Sequence, residues 1–303
     1  MKQILVIYYS QTGQLNSIIK SVLDPLEQDP EFSVEYRELV PKVPYPFPWS
    51  AYQFCDVFPE AAAGIPEKLN TEDQDGMQDP DLVILAYTVW YLSPSIPVSS
   101  FLQSDEAARL LQNRRVLTLI GCRNMWLLAQ EKVKRQVSAL GGQLVGNIAL
   151  TERTGNLLGI LNIATWMLSG KKKPLLGILP TPGIAEEDIK QARRFGKLIR
   201  QAWTGDRLRL DQADLNAHGA VLIDPALMLM EKRIWPVFQK WSAFIRKKGS
   251  RGDGARKKRV YAFMIYLLLA VVILAPFSRL ASLLQRLVKN KKIQEEMRYY
   301  SLG

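Results

Sequence analysis

Five apolar runs recur along the first half of the chain, and each is followed by a polar or glycine-containing break. They span residues 3–9, 32–39, 81–87, 115–121 and 142–150. The runs at 3–9 (QILVIYY) and 81–87 (DLVILAY) are almost continuously apolar, which is typical of strands buried on both faces of a parallel sheet. The run at 32–39 (FSVEYREL) alternates between apolar and polar residues, as half-buried strands do. The pattern predicts five strands.

Segments with helical periodicity lie between these runs. Residues 15–26 place Ile18, Ile19, Val22 and Leu23 on one face of a helix. Further helices are predicted at 61–69, through Phe101, at 127–140 and at 184–203. Strands that alternate with helices predict an α/β fold with a doubly wound parallel sheet.

Two apolar segments do not fit this alternation. Residues 157–168 (LLGILNIATWML) predict either a helix packed on the domain or a surface helix that faces a membrane or covers a ligand pocket. Residues 260–277 (VYAFMIYLLLAVVILAPF) carry no charge and are close to the shortest helix that spans a bilayer. Because Pro276 lies near the end of this second segment, a re-entrant or interfacial segment is equally open, and a buried core helix is a third possibility.

Positive charge is concentrated around the second apolar segment. The chain has a net charge of +11, and the basic run 246–259 (RKKGSRGDGARKKR) comes just before residue 260. Basic residues beside an apolar segment suit an anionic cytoplasmic leaflet. Nucleic-acid binding would instead interleave them with base-stacking aromatics, so we expect no nucleic acid. We expect the chain to lie on the cytoplasmic side of the inner membrane, anchored through 260–277, either across the membrane or within it.

Few residues are available for metal or nucleophilic chemistry. Cys55 and Cys122 are far apart and His218 is the single histidine, so we expect no metal site, disulfide framework or Ser-His-Asp triad. The chain enters a strand directly, so no cleavable signal peptide is expected. Composition divides the chain into an α/β domain at 1–204, a linking helical segment at 205–245 and a basic, apolar tail at 246–303.

The break after the first strand, Ser10-Gln-Thr-Gly-Gln14, has the features of an anion-binding turn. Ligands of doubly wound sheets bind at the carboxyl ends of strands, where a following helix offers backbone N–H groups and its positive dipole end. Ser10 and Thr12 add hydroxyl donors, and Gly13 permits unusual dihedral angles. Since the turn contains no lysine or arginine, it suits the phosphate monoester of a larger ligand. A plain capped turn is the alternative.

Placed after QILVIYY, this turn resembles the phosphate loop of flavodoxin-like proteins, which bind FMN. The resemblance covers about residues 1–203 and implies a flavodoxin-like five-stranded sheet, here with a helical membrane-associated C-terminal extension. Leu15 replaces the threonine usual in flavodoxins, a departure that flavodoxin-like quinone reductases share in kind. The cofactor-binding residues implied for this first loop are Ser10, Gln11, Thr12, Gly13, Gln14 and Leu15.

The same resemblance implies two further loops beside the flavin ring. The second loop contributes Thr88, Val89, Trp90 and Tyr91, and the third contributes Gly121, Cys122, Arg123 and Asn124. Trp90 and Tyr91 either stack on the ring or pack in the core. Tyr87, Tyr91 and Arg123 are candidates to polarise a ketone or take its proton. Cys122 is interpreted as a packing residue.

The whole outline, from MKQILVIYYSQTGQL to the basic, apolar tail, resembles dialkylresorcinol condensing enzymes, which work with a ketosynthase. That resemblance implies an FMN-dependent oxidoreductase, of aromatase or quinone-reductase type, for a lipid-like cyclic diketone or quinone-like substrate. Two alternatives stay open: a flavodoxin-type electron carrier, and a non-enzymatic membrane-tethered scaffold with an empty site. Electron-carrier flavodoxins tend to be acidic, so the net charge of +11 disfavours the first alternative.

Overall fold

The computed structural model of the chain describes residues 1–70, 76–152, 156–173, 181–204, 207–271 and 290–302. The strands in these ranges are β1 Lys2–Tyr8, β2 Phe32–Glu38, β3 Leu82–Tyr87, β4 Val89–Trp90, β5 Ser93–Pro94, β6 Arg115–Cys122, β7 Gln143–Thr151, β8 Trp203–Thr204 and β9 Arg207–Leu208. Five of them form a parallel sheet in the order β2-β1-β3-β6-β7. The predicted five-stranded α/β sheet is confirmed, with strand ends within two residues of the predicted ones.

The helices surround the sheet and continue into the C-terminal part. They are α1 Gln14–Glu27, α2 Ala51–Asp56, α3 Phe58–Ala63, α4 Ile96–Phe101, α5 Asp105–Leu111, α6 Leu127–Ala139, α7 Asn156–Ser169, α8 Glu186–Gln191, α9 Arg193–Gln201, α10 Gln212–Ala217, α11 Pro225–Arg246, α12 Lys257–Leu269 and α13 Asn290–Ser301. The single helix predicted at 184–203 is two helices that meet at Ala192. The prediction of a helix at 61–69 is wrong, because α3 ends at Ala63 and the next residue, Gly64, adopts the left-handed conformation with φ +66°.

Alternate residues of the central strands face two separate cores. Ile4 and Val6 of β1 lie in the core beneath α1 and α9, whereas Leu5 and Ile7 lie in the core on the other face of the sheet. All four are fully buried, as the period of two along a strand requires. Gly196 of α9 lets this helix approach α1 closely, since its missing side chain would collide with backbone there.

The C-terminal helices α11 and α12 pack on α2 and α3. The rings of Phe58 and Phe263 are stacked with centroids 3.8 Å apart, and Val260 and Phe263 are fully buried. The first part of the apolar segment predicted at 260–277 therefore has one face in a core. Its residues 272–277 lie outside the described residues, and within the described ranges no helix has the length and apolar character needed to cross a membrane.

Two arginines of the basic run 246–259 are held inside the protein by carboxylates. Arg256 is fully buried and bonds Asp56 at 2.7 Å and Glu60 at 2.6 Å. Arg251 forms a bidentate pair with Glu67 at 2.8 and 2.7 Å. The carboxylate partners of these two arginines come from a distant part of the sequence, so the charge of this run is partly neutralised within the protein.

Candidate functional site

The first loop turns from β1 into α1 through Gly13. This glycine is the N-cap of α1 with φ +77°, and no side chain caps the helix. Among the described residues, the backbone N–H groups of Gln11, Thr12 and Gly13 donate to no other group. A Cβ atom placed on Gly13 would meet no heavy atom within 4 Å. Free donors, open space and the positive end of a 14-residue helix together make a cradle for an anion.

Two enclosed hydroxyl groups lie at the same edge of the sheet. Tyr8 of β1 pairs with Ala86 of β3. Ser10 lies two residues after Tyr8 and Thr88 two residues after Ala86, so the two hydroxyl groups follow neighbouring strands at equivalent positions. Ser10 Oγ and Thr88 Oγ1 are both shielded from solvent, and neither has a hydrogen-bond partner in the described part of the chain. An enclosed hydroxyl without a partner is costly, so both atoms are suited to a bound ligand.

The second loop sends its two aromatic side chains to different places. Trp90 joins an aromatic cluster with Tyr9, Tyr45 and Trp49, whose ring centroids lie 5.0 to 6.0 Å from its own. Tyr91, at φ +51°, turns away and packs edge-on against Phe58 at 5.1 Å. Both side chains are half-buried and pack against the core, Trp90 among the aromatic rings near the first loop and Tyr91 against α3.

The hydroxyl groups of Tyr87 and Tyr91 are both committed to protein partners. Tyr87 is fully buried and donates to Gln130 Oε1 at 2.7 Å. Tyr91 donates to the carbonyl oxygen of Phe54 at 2.7 Å. Burial raises the pKa of both phenols well above the usual value. Both hydroxyl groups therefore have protein acceptors in this structure.

The third loop begins where the end of β6 packs beneath the first turn of α1. A Cβ atom at Gly121 would come within 2.8 Å of the Ile18 side chain and 3.2 Å of the Leu15 side chain. Arg123 Nε lies 3.7 Å from Glu152 Oε2, and Arg123 Nη1 donates to Asn124 Oδ1 at 3.3 Å. Burial raises the pKa of the Cys122 thiol, in keeping with a packing residue.

Glu152 is a site residue that the sequence interpretation missed. Its side chain is almost fully enclosed, with 1% exposed, yet it carries a carboxylate beside Arg123. The available signal was its position directly after β7, because the residues that follow parallel strands gather at one edge of the sheet. The third loop therefore presents an ion pair at the carboxyl edge rather than an isolated arginine.

The proline-rich loop before α2 contacts both the first loop and the C-terminal end of α7. The backbone N–H of Trp49 donates to the carbonyl of Met167 at 2.9 Å, and Phe47 packs edge-on against Trp166 at 6.4 Å. Gln11 Nε2 donates to the carbonyl of Pro46 at 2.9 Å. The apolar segment at 157–168 is thus a helix whose C-terminal end packs on the domain through the proline-rich loop.

A second contact joins the first loop to the segment after α7. The side chain of Gln14 donates through Nε2 to the carbonyl of Ile184 at 3.2 Å and accepts from its N–H at 3.1 Å through Oε1. This paired amide contact, between residues 170 positions apart, fixes the start of α1 against the start of α8. The residues predicted for the three loops therefore lie at the carboxyl edge of the sheet. The exceptions are Tyr91, whose side chain is directed away from this edge, and Leu15, whose side chain is buried.

Comparison with known proteins gives resemblance of shape alone. No family model and no curated protein matches this chain. Similar solved structures include a flavoprotein in complex with FMN from Lactobacillus acidophilus, 16% identical over 48% of this chain and 92% of that chain, with a TM-score of 0.39. Flavodoxin 1 from Bacillus cereus is 11% identical over 67% of this chain and 100% of that chain, with a TM-score of 0.38.

A WrbA-like flavodoxin from Agrobacterium tumefaciens is 13% identical over 66% of this chain and 99% of that chain, with a TM-score of 0.36. These likenesses are too distant to carry residue roles or an activity. The strand order β2-β1-β3-β6-β7 is itself the order of flavodoxin-like doubly wound sheets, and it makes the fold of this chain flavodoxin-like.

Proposed function

We propose that this chain is an FMN-binding flavoprotein whose first loop holds the phosphate. The observation that carries the proposal is that the backbone N–H groups of Gln11, Thr12 and Gly13, at the N-terminus of α1, have no acceptor among the described residues. The hydroxyl groups of Ser10 and Thr88, which have no partner among the described residues, supply two further donors. This arrangement is suited to a phosphate monoester held by neutral donors at the carboxyl edge, at the point where the strand order of the sheet reverses.

The second and third loops offer groups suited to a flavin ring. Trp90 presents an aromatic side chain, and aromatic faces stack on flavins and tune them. Arg123 supplies positive charge for the ring edge that becomes negative on reduction, with Glu152 3.7 Å away to orient the guanidinium. FMN, when bound, supplies hydride and electron transfer, for which the protein's own side chains need provide only binding and orientation.

We further propose that the reaction is an oxidation or reduction of a hydrophobic cyclic diketone or quinone-like ring, as in dialkylresorcinol ring formation. Support comes from the surroundings of the second loop, where Trp49 packs edge-on against Trp90 at 5.9 Å and adds apolar surface.

The first experiment is the visible spectrum of the purified full chain, with mass spectrometry of what it releases on denaturation. The test variant is Gly13→Asp, which places a carboxylate where the phosphate would sit. Gly64→Asp is the matched control, since Gly64 also has positive φ, +66°, and open space around it but lies at the end of α3. We expect FMN from the wild type and Gly64→Asp, and none from Gly13→Asp.

The outcomes test the binding of FMN and the proposed reaction separately. No flavin in the wild type, even after incubation with FMN, would refute the proposal and favour a scaffold. With FMN bound, anaerobic addition of a long-chain cyclohexane-1,3-dione should bleach the flavin. Failure to bleach with diketone, together with failure of the reduced protein to reoxidise with a quinone, would refute the substrate class. A stable semiquinone under those conditions would favour an electron carrier.

A further inference from the structure

We propose that the free face of α12 binds the surface of an anionic lipid bilayer. Four large apolar side chains lie on this face and are 41 to 62% exposed. They are Tyr261, Ile265, Leu268 and Leu269. The spacing i, i+4, i+7 and i+8 places them on one side of a helix, so they form a continuous apolar surface rather than scattered positions.

The opposite face of α12 is fixed to the domain. Val260 and Phe263 are fully buried, and the Phe263 ring stacks on Phe58 at 3.8 Å. Trp241 of α11 packs against the same ring at 5.6 Å. Because one side of the helix is packed in a core, only the other side can meet lipid. The geometry is that of a helix lying in the plane of a membrane surface, with its apolar face directed into the lipid.

Charge complementarity identifies the occupant as anionic lipid. Four exposed lysines lie near the start of α12: Lys247 and Lys248 in the turn after α11, and Lys257 and Lys258 in the first turn of α12. Arg251 and Arg256 of this turn are neutralised by carboxylates of the domain. The four lysines and Arg246 are exposed and outnumber the exposed Asp253, so the outward charge is positive. The sequence contains no aspartate or glutamate between Asp253 and Glu295. A row of cations at the end of an apolar helix face is suited to lipid headgroups beside acyl chains.

The apolar and basic parts make separable contributions to binding. Each lysine near an anionic surface increases affinity about fivefold. Ile265 and Leu268 each have more than half of their side chain available for insertion, so each increases affinity by about tenfold. Affinity should therefore fall both when the apolar residues are made polar and when salt screens the lysines.

The test is flotation of the full chain with vesicles of phosphatidylcholine containing 30% phosphatidylserine, compared with phosphatidylcholine alone. We expect at least tenfold tighter binding to the anionic vesicles. Ile265→Ser/Leu268→Ser should lose tenfold or more, and a variant with glutamine at the four lysines should lose the preference for phosphatidylserine. Leu222→Ser is the control, since Leu222 is 68% exposed but lies outside α12, and it should bind as the wild type does.

Several outcomes would overturn the proposal. They are an absence of vesicle binding by the wild type, equal binding by Ile265→Ser/Leu268→Ser, and equal binding to both kinds of vesicle. Conversion of a wild-type dimer to a monomer by Ile265→Ser/Leu268→Ser, without vesicle binding, would show that a second copy covers this face. Thermal unfolding of each variant verifies that it folds. Flavin content is measured in parallel, and vesicle binding is expected whether or not FMN is present.

Discussion

Replacing Arg256 by methionine tests how the C-terminal helices are held on the domain. The guanidinium is fully buried, and its bonds to Asp56 and Glu60 are 2.7 and 2.6 Å long. Asp56 and Glu60 are themselves 4% and 5% exposed. Methionine keeps much of the volume but donates no hydrogen bond, so two buried carboxylates lose their counter-ion. Removing one partner of a buried ion pair costs about 3–5 kcal/mol of unfolding free energy, and we expect a loss of that size.

The loss should depend on pH in a defined direction. Burial raises the pKa of Glu60, and the contacts with Arg256 oppose that rise. Without Arg256 the pKa rises further, so the folded variant holds a proton that the unfolded chain releases. A carboxyl group of this kind stabilises the fold at low pH and loses that contribution as pH rises. The difference between Arg256→Met and the wild type should therefore be smaller at pH 5 than at pH 8.

Urea unfolding followed by tryptophan fluorescence measures the difference, and hydrogen exchange at Val260 and Phe263 localises it. Arg251→Met is the control in the same turn. Its pair with Glu67 is only partly buried, with side-chain exposures of 18 and 21%, so its loss should be about 1–2 kcal/mol. Neutralising the carboxylates in Arg256→Met/Asp56→Asn/Glu60→Gln should restore at least half of the stability. Stability within about 1 kcal/mol of the wild type for Arg256→Met at pH 8 would refute the reasoning.

Three other substitutions test single contacts. Glu231 accepts from the N–H groups at the start of α6, and burial raises its pKa to about 7. The free energy of unfolding should therefore fall as pH rises from about 4.5 to 7. Glu231→Gln should flatten that fall in urea titrations. Burial lowers the pKa of Lys132 to about 7, so stability should instead rise between about pH 7 and 10, a slope that Lys132→Met should abolish. Tyr87→Phe leaves Gln130 without its donor and should cost about 1–2 kcal/mol by thermal unfolding, with flavin content unchanged. An unaltered pH slope in either charge variant, or lost flavin in Tyr87→Phe, would contradict the corresponding assignment.

The sheet could be predicted because its signal is local. A strand such as β3 is fully buried along its length, so its run of apolar residues is visible without knowledge of its neighbours. The short helices α2 and α3 could not be predicted in the same way. Their buried residues include Asp56 and Glu60, whose presence in a core makes sense only with Arg256, about 200 residues away in sequence.

The candidate site also has a part that could be predicted from sequence and a part that could not. The first loop is contiguous from Ser10 to Gln14, so its donors and its glycine could be predicted from sequence. Trp90 and Tyr91 are adjacent in sequence and look equivalent, yet the backbone at Tyr91 has φ +51° and directs that side chain into the core. Glu152 and its partner come from different strand ends, so their meeting depends on strand order, which one sequence does not specify.

The long separation between the carboxylates of α2 and α3 and their arginine also sets an order of events during synthesis. Asp56 and Arg256 are 200 residues apart, and at translation rates of about 5–20 residues per second that interval is about 10–40 s. Strands β1 and β2 precede Asp56 in the chain, and the other three sheet strands are synthesised within this interval. A nascent chain therefore holds a completed sheet while two acidic groups and the ring of Phe58 still face water. The last quarter of the chain seals that surface, so a ribosome stalled before Arg256 would present it to chaperones and proteases.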